Sequence, residues 1–264
     1  MIDRIEAQIE ARLSGSSTEF LSLSRLADEL GCSAFTLLDM SEQHWQLSPR
    51  AIARKKLEER AGSLDDCPAI QPLSAQSQAE RLNHIAIRDA KARAISAHKN
   101  LDYAYGQDEL GFILIAASER GLVFLSFGAD KAALQAELEH NFPQATLKQA
   151  QDKLATTLKI CLRATKGEIE DLDLPLDVQA PAFHAQVWAE LLGIGFGAIK
   201  SYSQIAKDLG KPKAARAVGQ ACAKNQVSLM IPCHRCLTQA GGFGGYRWGL
   251  ERKRHLLAVE GQQF

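Results

Sequence analysis

Apolar residues in the first sixty positions recur at helical spacing. Leu23, Leu26, Ala27 and Leu30 stand three or four apart, a stripe that predicts a helix with one buried face. Gly31 breaks the pattern, Ser33 supplies a cap, and Phe35, Leu37, Leu38 and Met40 predict a second helix. Ser48 and Pro49 open a third, which carries Arg50, Arg54, Lys55, Lys56 and Arg60. Residues 63–78 are rich in Pro, Ser, Gln and Asp and read as a linker; residues 79–98, with Leu82, Ile85, Ile87, Ala90, Ala94 and Ile95, read as a helix. Beyond Asp102 the pattern turns to strands: residues 111–116 and 121–127 are apolar runs joined by Ser118, Glu119 and Arg120, a hairpin signal. Helices near residues 131–141 and 151–165 are expected to cover one face of that sheet. Residues 201–206 and 214–221 then predict two short helices separated by Gly210 and Pro212, the punctuation of a helix-turn-helix, and residues 253–260 another helical segment.

A chain of 264 residues allows one large domain or two to three small ones. The divisions above give a helical domain at 1–62, a linker and helix at 63–100, an α/β subdomain at 101–178 and a last domain at 179–264, an α/β plus α fold class. No run approaches the ~20 apolar residues that span a bilayer, and the start lacks the apolar stretch of a signal peptide. The expectation is an intracellular protein without membrane contact. Six cysteines (Cys32, Cys67, Cys161, Cys222, Cys233 and Cys236) then read as free thiols rather than a disulfide framework. Net charge is zero, which argues against a strongly basic nucleic-acid binder, but the distribution reverses that impression. Residues 179–264 hold eleven lysines and arginines against Glu190, Asp208, Glu251 and Glu260, the footprint expected where phosphates are approached.

The chemistry concentrates in Ile231-Pro232-Cys233-His234-Arg235. A thiol is a strong nucleophile only as the thiolate, and a neighbouring imidazole that accepts its proton is the usual route to it at neutral pH. Cys233 and Cys236 also form a C-x-x-C, the spacing of a redox dithiol or half a zinc site. A second suitably spaced pair is lacking and the position is late in the chain, so no metal is expected and Cys236 reads as packing. The glycine-dense stretch from Gly241 to Gly249 lets backbone approach a ligand closely, with Tyr246 as a wall.

These motifs, together with the SYxxIA and RAVGxA segments, Asn225 and the trailing GYRWGLERKRHLL and glutamate, resemble the O6-alkylguanine-DNA alkyltransferase family. The resemblance is strongest over residues 183–261 and continues more weakly to about Leu101. It implies a ribonuclease H-like α/β subdomain followed by a winged-helix-like catalytic domain, no cofactor, and a monomer acting on double-stranded DNA that contains O6-alkylguanine, in the cytoplasm, on the nucleoid of a bacterium or in a eukaryotic nucleus. It implies further that Cys233 attacks the alkyl carbon, that His234 takes the thiol proton through a water, that Glu260 orients the imidazole and that Asn225 ties the helix-turn-helix to the active-site loop. Arg216 would fill the stack vacated by an extruded guanine and Tyr202 would press on the adjacent phosphate, on a helix whose Ala214, Ala215, Ala217 and Gly219 permit close approach to a groove. Tyr246 and the backbone near Arg247 and Trp248 would form one pocket wall, with Val227 to Ile231, Ser228 among them, opposite; an indole at 248 and a serine at 228 are expected to leave room for methyl but little for benzyl. Gln226 departs from the family, which has proline there, and so do the missing proline in residues 193–197 and Cys236-Leu237 after the PCHR motif.

Residues 23–60 partly resemble one helix-turn-helix unit of the AraC family, a module of Ada-type alkyltransferase regulators. Between Ser33 and Ser48, however, there is no Lys or Arg, while Asp39 and Glu42 would face phosphate, and no second unit follows. A small helical bundle that packs or binds protein is the rival reading. At the level of the whole chain the alternatives to repair are an Ada-type regulator activated by self-alkylation, weakened by the lack of a four-cysteine zinc domain, and a binding-only alkyltransferase-like protein, a class that lacks the cysteine.

Overall fold

The computed structural model describes residues 1–14, 23–61, 81, 85–88, 98–168, 172 and 174–264. The expected linker at 63–78 and Cys67 lie outside them. The chain divides into two compact units, the first built on Met1–Pro72 and the second holding Leu122–Leu172 and Leu176–Phe264.

The first unit contains helices α1 (Ile2–Ser14), α2 (Leu23–Leu30), α3 (Ala34–Trp45) and α4 (Pro49–Ala61). Its core is the apolar stripe read from the sequence, with Leu23, Leu26, Leu30, Phe35, Leu37 and Leu38 buried, joined by Ile5 and Ile9 of α1. Gly31 takes the left-handed φ of +69° that ends α2, and the Ser33 hydroxyl accepts the Thr36 N–H at 3.0 Å to start α3. Lys56 of α4 pairs with Glu6 and Glu10 of α1 at 2.8 and 3.0 Å, so this lysine supports the bundle.

In the second unit β1 (Ile85–Arg88) pairs in parallel with β6 (Val178–Pro181). The helix expected over 79–98 is therefore corrected at 85–88: alternating Ile85 and Ile87 have the period of a strand, and β6 supplies the hydrogen-bonding edge. The main sheet runs β4-β3-β2-β5, from β2 (Asn100–Asp108), β3 (Gly111–Ala117), β4 (Leu122–Gly128) and β5 (Thr146–Gln149). β3 and β4 are the expected hairpin; β2 extends it antiparallel and β5 lies parallel to β2.

Two helices follow, α5 (Lys131–Asn141) and α6 (Ala155–Ala164), and they cover opposite faces, which corrects the expectation of one. Successive residues of β3 point to alternate sides. Leu114 and Ala116 meet Leu134 and Leu138 of α5, whereas Ile113 and the bare Gly106 face Leu158 and Leu162 of α6. A Cβ on Gly106 would come within 3.0 Å of Leu158, so the glycine sets how closely α6 settles.

The remaining elements are α7 (Ala182–Leu192), β7 (Lys200–Ser201), α8 (Tyr202–Asp208), α9 (Ala215–Ala223), a tight 3-10 turn (Cys233–Arg235), β8 (Cys236–Leu237) and α10 (Leu250–Val259). Ser201 caps α8 through Gln204 N at 3.0 Å, and Gly210, at φ +68°, makes the turn toward α9. The Trp188 indole donates to the Ala221 carbonyl at 2.9 Å and binds α7 to α9. β7 and β8 pair in parallel and bring the PCHR turn beside the start of α8. Among the described residues no helix is long and apolar enough to cross a membrane.

Candidate active site

Pro232 introduces the 3-10 turn that begins at Cys233, whose side chain is almost enclosed at 4% exposure. Burial pushes the thiol up to about 12; the nearby Cys222 adds to this, and an Asn225 hydrogen bond and the Lys253 charge oppose it. Asn225 is fully buried and directs one amide hydrogen to the Ile231 carbonyl at 2.8 Å and one to the Cys233 sulfur at 3.2 Å. Its carbonyl oxygen accepts the Val227 N–H at 3.0 Å, which fixes the amide orientation.

His234, 1% exposed, sits with Nε2 3.0 Å from Oε1 of Glu260, at the end of α10. Its Nδ1 is buried with no hydrogen-bond partner among the described residues. Burial lowers the imidazole's pKa and outweighs the Glu260 carboxylate, so the ring is neutral at neutral pH. For Glu260, burial raises the pKa, but hydrogen bonds and charge from His234 and Arg235 together hold it below the usual carboxylate range. Arg235 grips that carboxylate in a fork, Nε to Oε2 at 3.0 Å and Nη2 to Oε1 at 2.9 Å, and sends Nη1 to the Ile194 carbonyl at 2.6 Å.

Cys233 opens onto a cleft of about 570 Å³, lined also by Tyr202, Ala215, Arg216, Gly219, Cys222, Tyr246 and Arg247. Arg216 is exposed on α9. The Tyr202 hydroxyl is 3.5 Å from the Gly245 carbonyl, and a Cβ on Gly244, itself at φ +63°, would meet the Tyr202 ring at 3.0 Å. The glycine-dense loop is thus laid against that ring. Arg247 pairs closely with Glu137 of α5 and donates to the Asn225 carbonyl at 3.3 Å.

Two of the residues assigned to the pocket do not reach it. Trp248, 5% exposed, turns its indole N–H to the Ser126 hydroxyl at 2.7 Å and its ring edge toward Phe127, because a buried indole needs both an acceptor and apolar company. It stands beside Tyr246 without lining the cleft, which corrects the expectation that it narrows the space for an alkyl group. Ser228 is buried behind the wall, its hydroxyl 2.8 Å from that of Tyr246. Ala214 and Ala217 lie on or next to α9, half-buried and outside the cleft lining. The basic excess is also smaller in effect than counted: Arg235 and Lys253 are buried, and Arg247 is paired. Spacing could have placed Lys253, since Lys253, Leu256 and Leu257 stand three and four apart on one helical face. Nothing in the sequence pointed to Glu137. Among the described residues no cluster of His, Cys, Asp or Glu is arranged to hold a metal.

Two family models match: the 6-O-methylguanine DNA methyltransferase ribonuclease-like domain over residues 101–178, and the DNA binding domain of the same family over 182–262. The chain is 41% identical over 160 residues to the Escherichia coli bifunctional transcriptional activator/DNA repair enzyme Ada; the match covers 61% of this chain and 45% of that protein. The chain thus spans less than half the length of that relative. It is 32% identical to the methylated-DNA–protein-cysteine methyltransferase of Methanosarcina acetivorans, over 60% of this chain and 97% of that protein. Among solved structures, Mycobacterium tuberculosis OGT in complex with DNA aligns with a TM-score of 0.52 at 29% identity, covering 60% of this chain and 92% of that one.

Proposed function

This chain belongs to the 6-O-methylguanine DNA methyltransferase family, and we propose that it repairs DNA by moving the alkyl group of O6-alkylguanine onto Cys233, once per molecule. The observation that carries the reading is the enclosed Cys233 thiol at the cleft, held by Asn225, with neutral His234 braced by Glu260 beside it. A thiol raised to about 12 is protonated at rest and needs a base. His234, neutral and with its Nδ1 unpartnered among the described residues, takes that proton through a water, and Glu260 and Arg235 hold the ring as it becomes imidazolium. The sulfur attacks the alkyl carbon and the carbon–O6 bond breaks, its electron pair going to guanine, which takes up a proton. The product is a thioether with no easy hydrolysis route, so one protein repairs one lesion.

O6 of a paired guanine is out of the thiol's reach, so the nucleotide is extruded. Exposed Arg216 fills the gap, and Tyr202 at the rim turns the base toward the cleft. The small residues Ala214, Ala215, Ala217 and Gly219 let the Arg216 helix approach the groove. In this reading the second unit is a winged-helix-like catalytic domain behind a ribonuclease H-like subdomain, working as a monomer on the nucleoid or elsewhere in the cytoplasm. α2, Gly31 and α3 form an AraC-like helix-turn-helix unit that does not read promoters, because Asp39 and Glu42 on α3 repel phosphate. A footprint on a discrete sequence that requires residues 33–48 would restore the regulator reading. The repair reading is tested by incubating the protein with duplex DNA carrying one O6-methylguanine and counting guanines restored. Repair should stop at one lesion per protein; continued turnover, or none, contradicts it.

A further inference from the structure

Lys253 is completely buried, on a helix whose neighbouring buried positions are Leu256 and Leu257. Its ammonium donates to two backbone carbonyls, Cys236 O and Phe243 O, at 2.5 Å each. The acidic groups whose charge it feels are three thiols, Cys236, Cys233 and Cys222. Burying an ammonium against neutral carbonyls is unfavourable unless the charge is used, and a methionine of similar length would fill the same space. The two carbonyls have telling positions. Cys236 directly follows the turn that presents Cys233, and Phe243 lies in the glycine-dense loop that leads to Tyr246 of the cleft wall. One ammonium therefore ties the nucleophile's turn to the wall opposite it.

We propose that Lys253 is a positioning residue for alkyl transfer, its ammonium clamping the PCHR turn to the glycine-dense loop and its charge favouring the Cys233 thiolate as it forms. This rests on the repair reading, which makes no use of Lys253. The Asn225 amide contacts the Cys233 sulfur; the Cys222 thiol, the Tyr246 and Tyr202 phenols and the Lys253 ammonium are near enough to interact electrostatically with it, and His234 is adjacent in the chain and paired with Glu260, which Arg235 also holds. Among the described residues Lys253 is a cation with no carboxylate bonded to it, whereas Arg235 is held by Glu260. By burial alone its own pKa is lowered, and the thiols push it back up. That influence is mutual: a cation that favours a thiolate is itself held charged by it.

The test compares wild type with Lys253→Met and Lys253→Gln in the full chain. Alkylation of Cys233 by iodoacetamide, followed on its peptide across pH, reports thiolate formation without DNA; transfer from O6-methylguanine duplex reports the repair reaction. At any pH below the thiol's pKa the rate follows the thiolate fraction, so loss of one nearby charge should slow iodoacetamide alkylation about tenfold at each such pH. Both variants should also need more free O6-methylguanine for half-maximal rate, since the loop is unclamped. An unchanged alkylation rate in a folded variant, judged by thermal melting, overturns the proposal. Should both variants fail to fold, wild type labelled at the lysine ε-carbon decides by NMR. The Lys253 ε-carbon resonance should move once Cys233 carries a methyl group, because the turn that its ammonium clamps must take up the thioether, and an unmoved resonance overturns the proposal. Wild type that reacts with iodoacetamide yet takes no methyl from DNA would instead remove the repair reading itself.

Discussion

The amide nitrogen of Asn225 lies 3.2 Å from the sulfur of Cys233 and closes a short loop from the end of α9 to the nucleophile. The same nitrogen holds the Ile231 carbonyl, so removing the amide leaves a buried acceptor unpaired and a forming thiolate without a donor. Asn225→Ala is expected to cost ~1–3 kcal/mol at each unmet group, hence to slow methyl transfer at least roughly fivefold and to lower the melting temperature. Asn225→Asp, which cannot donate and adds negative charge, should be slower still. Single-turnover transfer rates and thermal melts check both, and unchanged rates would sink the role.

Acid should weaken this fold through two groups of the same sign. The folded-state pKa of Glu260 is below its ordinary 4.5, so its contribution is present above that value and is lost as pH falls through the depressed one. That of His234 is below 6.5, so the unfolded chain takes up its proton first and stability again falls on the acid side. Melting temperature should therefore decline as pH drops below 6.5, and again below 4.5. Glu260→Gln should melt lower at neutral pH yet lose less below 4.5. Parallel melting curves for the two proteins across that range would refute the assignment.

The buried placement of Trp248 changes what its substitution should do. Trp248→Ala removes the contact with Phe127 and leaves the Ser126 hydroxyl without its indole donor, which should cost ~3–5 kcal/mol of stability. It should leave the ratio of reaction rates with O6-methylguanine and O6-benzylguanine free bases nearly unchanged. Ser228→Ala, by releasing the Tyr246 hydroxyl, should alter that ratio instead. The opposite pattern would put Trp248 back in the pocket.

Arg216 stands exposed and lines the same cleft as Cys233. Arg216→Ala should impair transfer from duplex DNA far more than reaction with free O6-methylguanine, and binding to undamaged duplex should weaken steeply with salt. Equal loss on both substrates would mean that Arg216 supports the fold.

Local signals made much of this legible in advance. Ser201 and Gly210 punctuate α8, the apolar runs of β3 and β4 announce a hairpin, and Cys233 and His234 are adjacent in the chain. What stayed hidden depends on partners distant in sequence. β2 alternates tyrosines with Asp102, Gly106 and Asp108, a pattern too polar to read as a strand until β3 and β5 pair with it. Arg235 and Lys253 look like surface charge in a basic segment, and only Glu260 and the carbonyls of Cys236 and Phe243 turn them inward. Trp248 has a bulky ring whose direction Ser126, over a hundred positions earlier, decides.

The most direct test of the central claim is the mass of the protein after exposure to duplex DNA containing O6-methylguanine, followed by peptide mapping. The account predicts a gain of one methyl group per molecule, on the peptide bearing Cys233, and none in Cys233→Ala. A methyl on Cys222, which lines the same cleft, or on Cys236, or no gain at all, would contradict it.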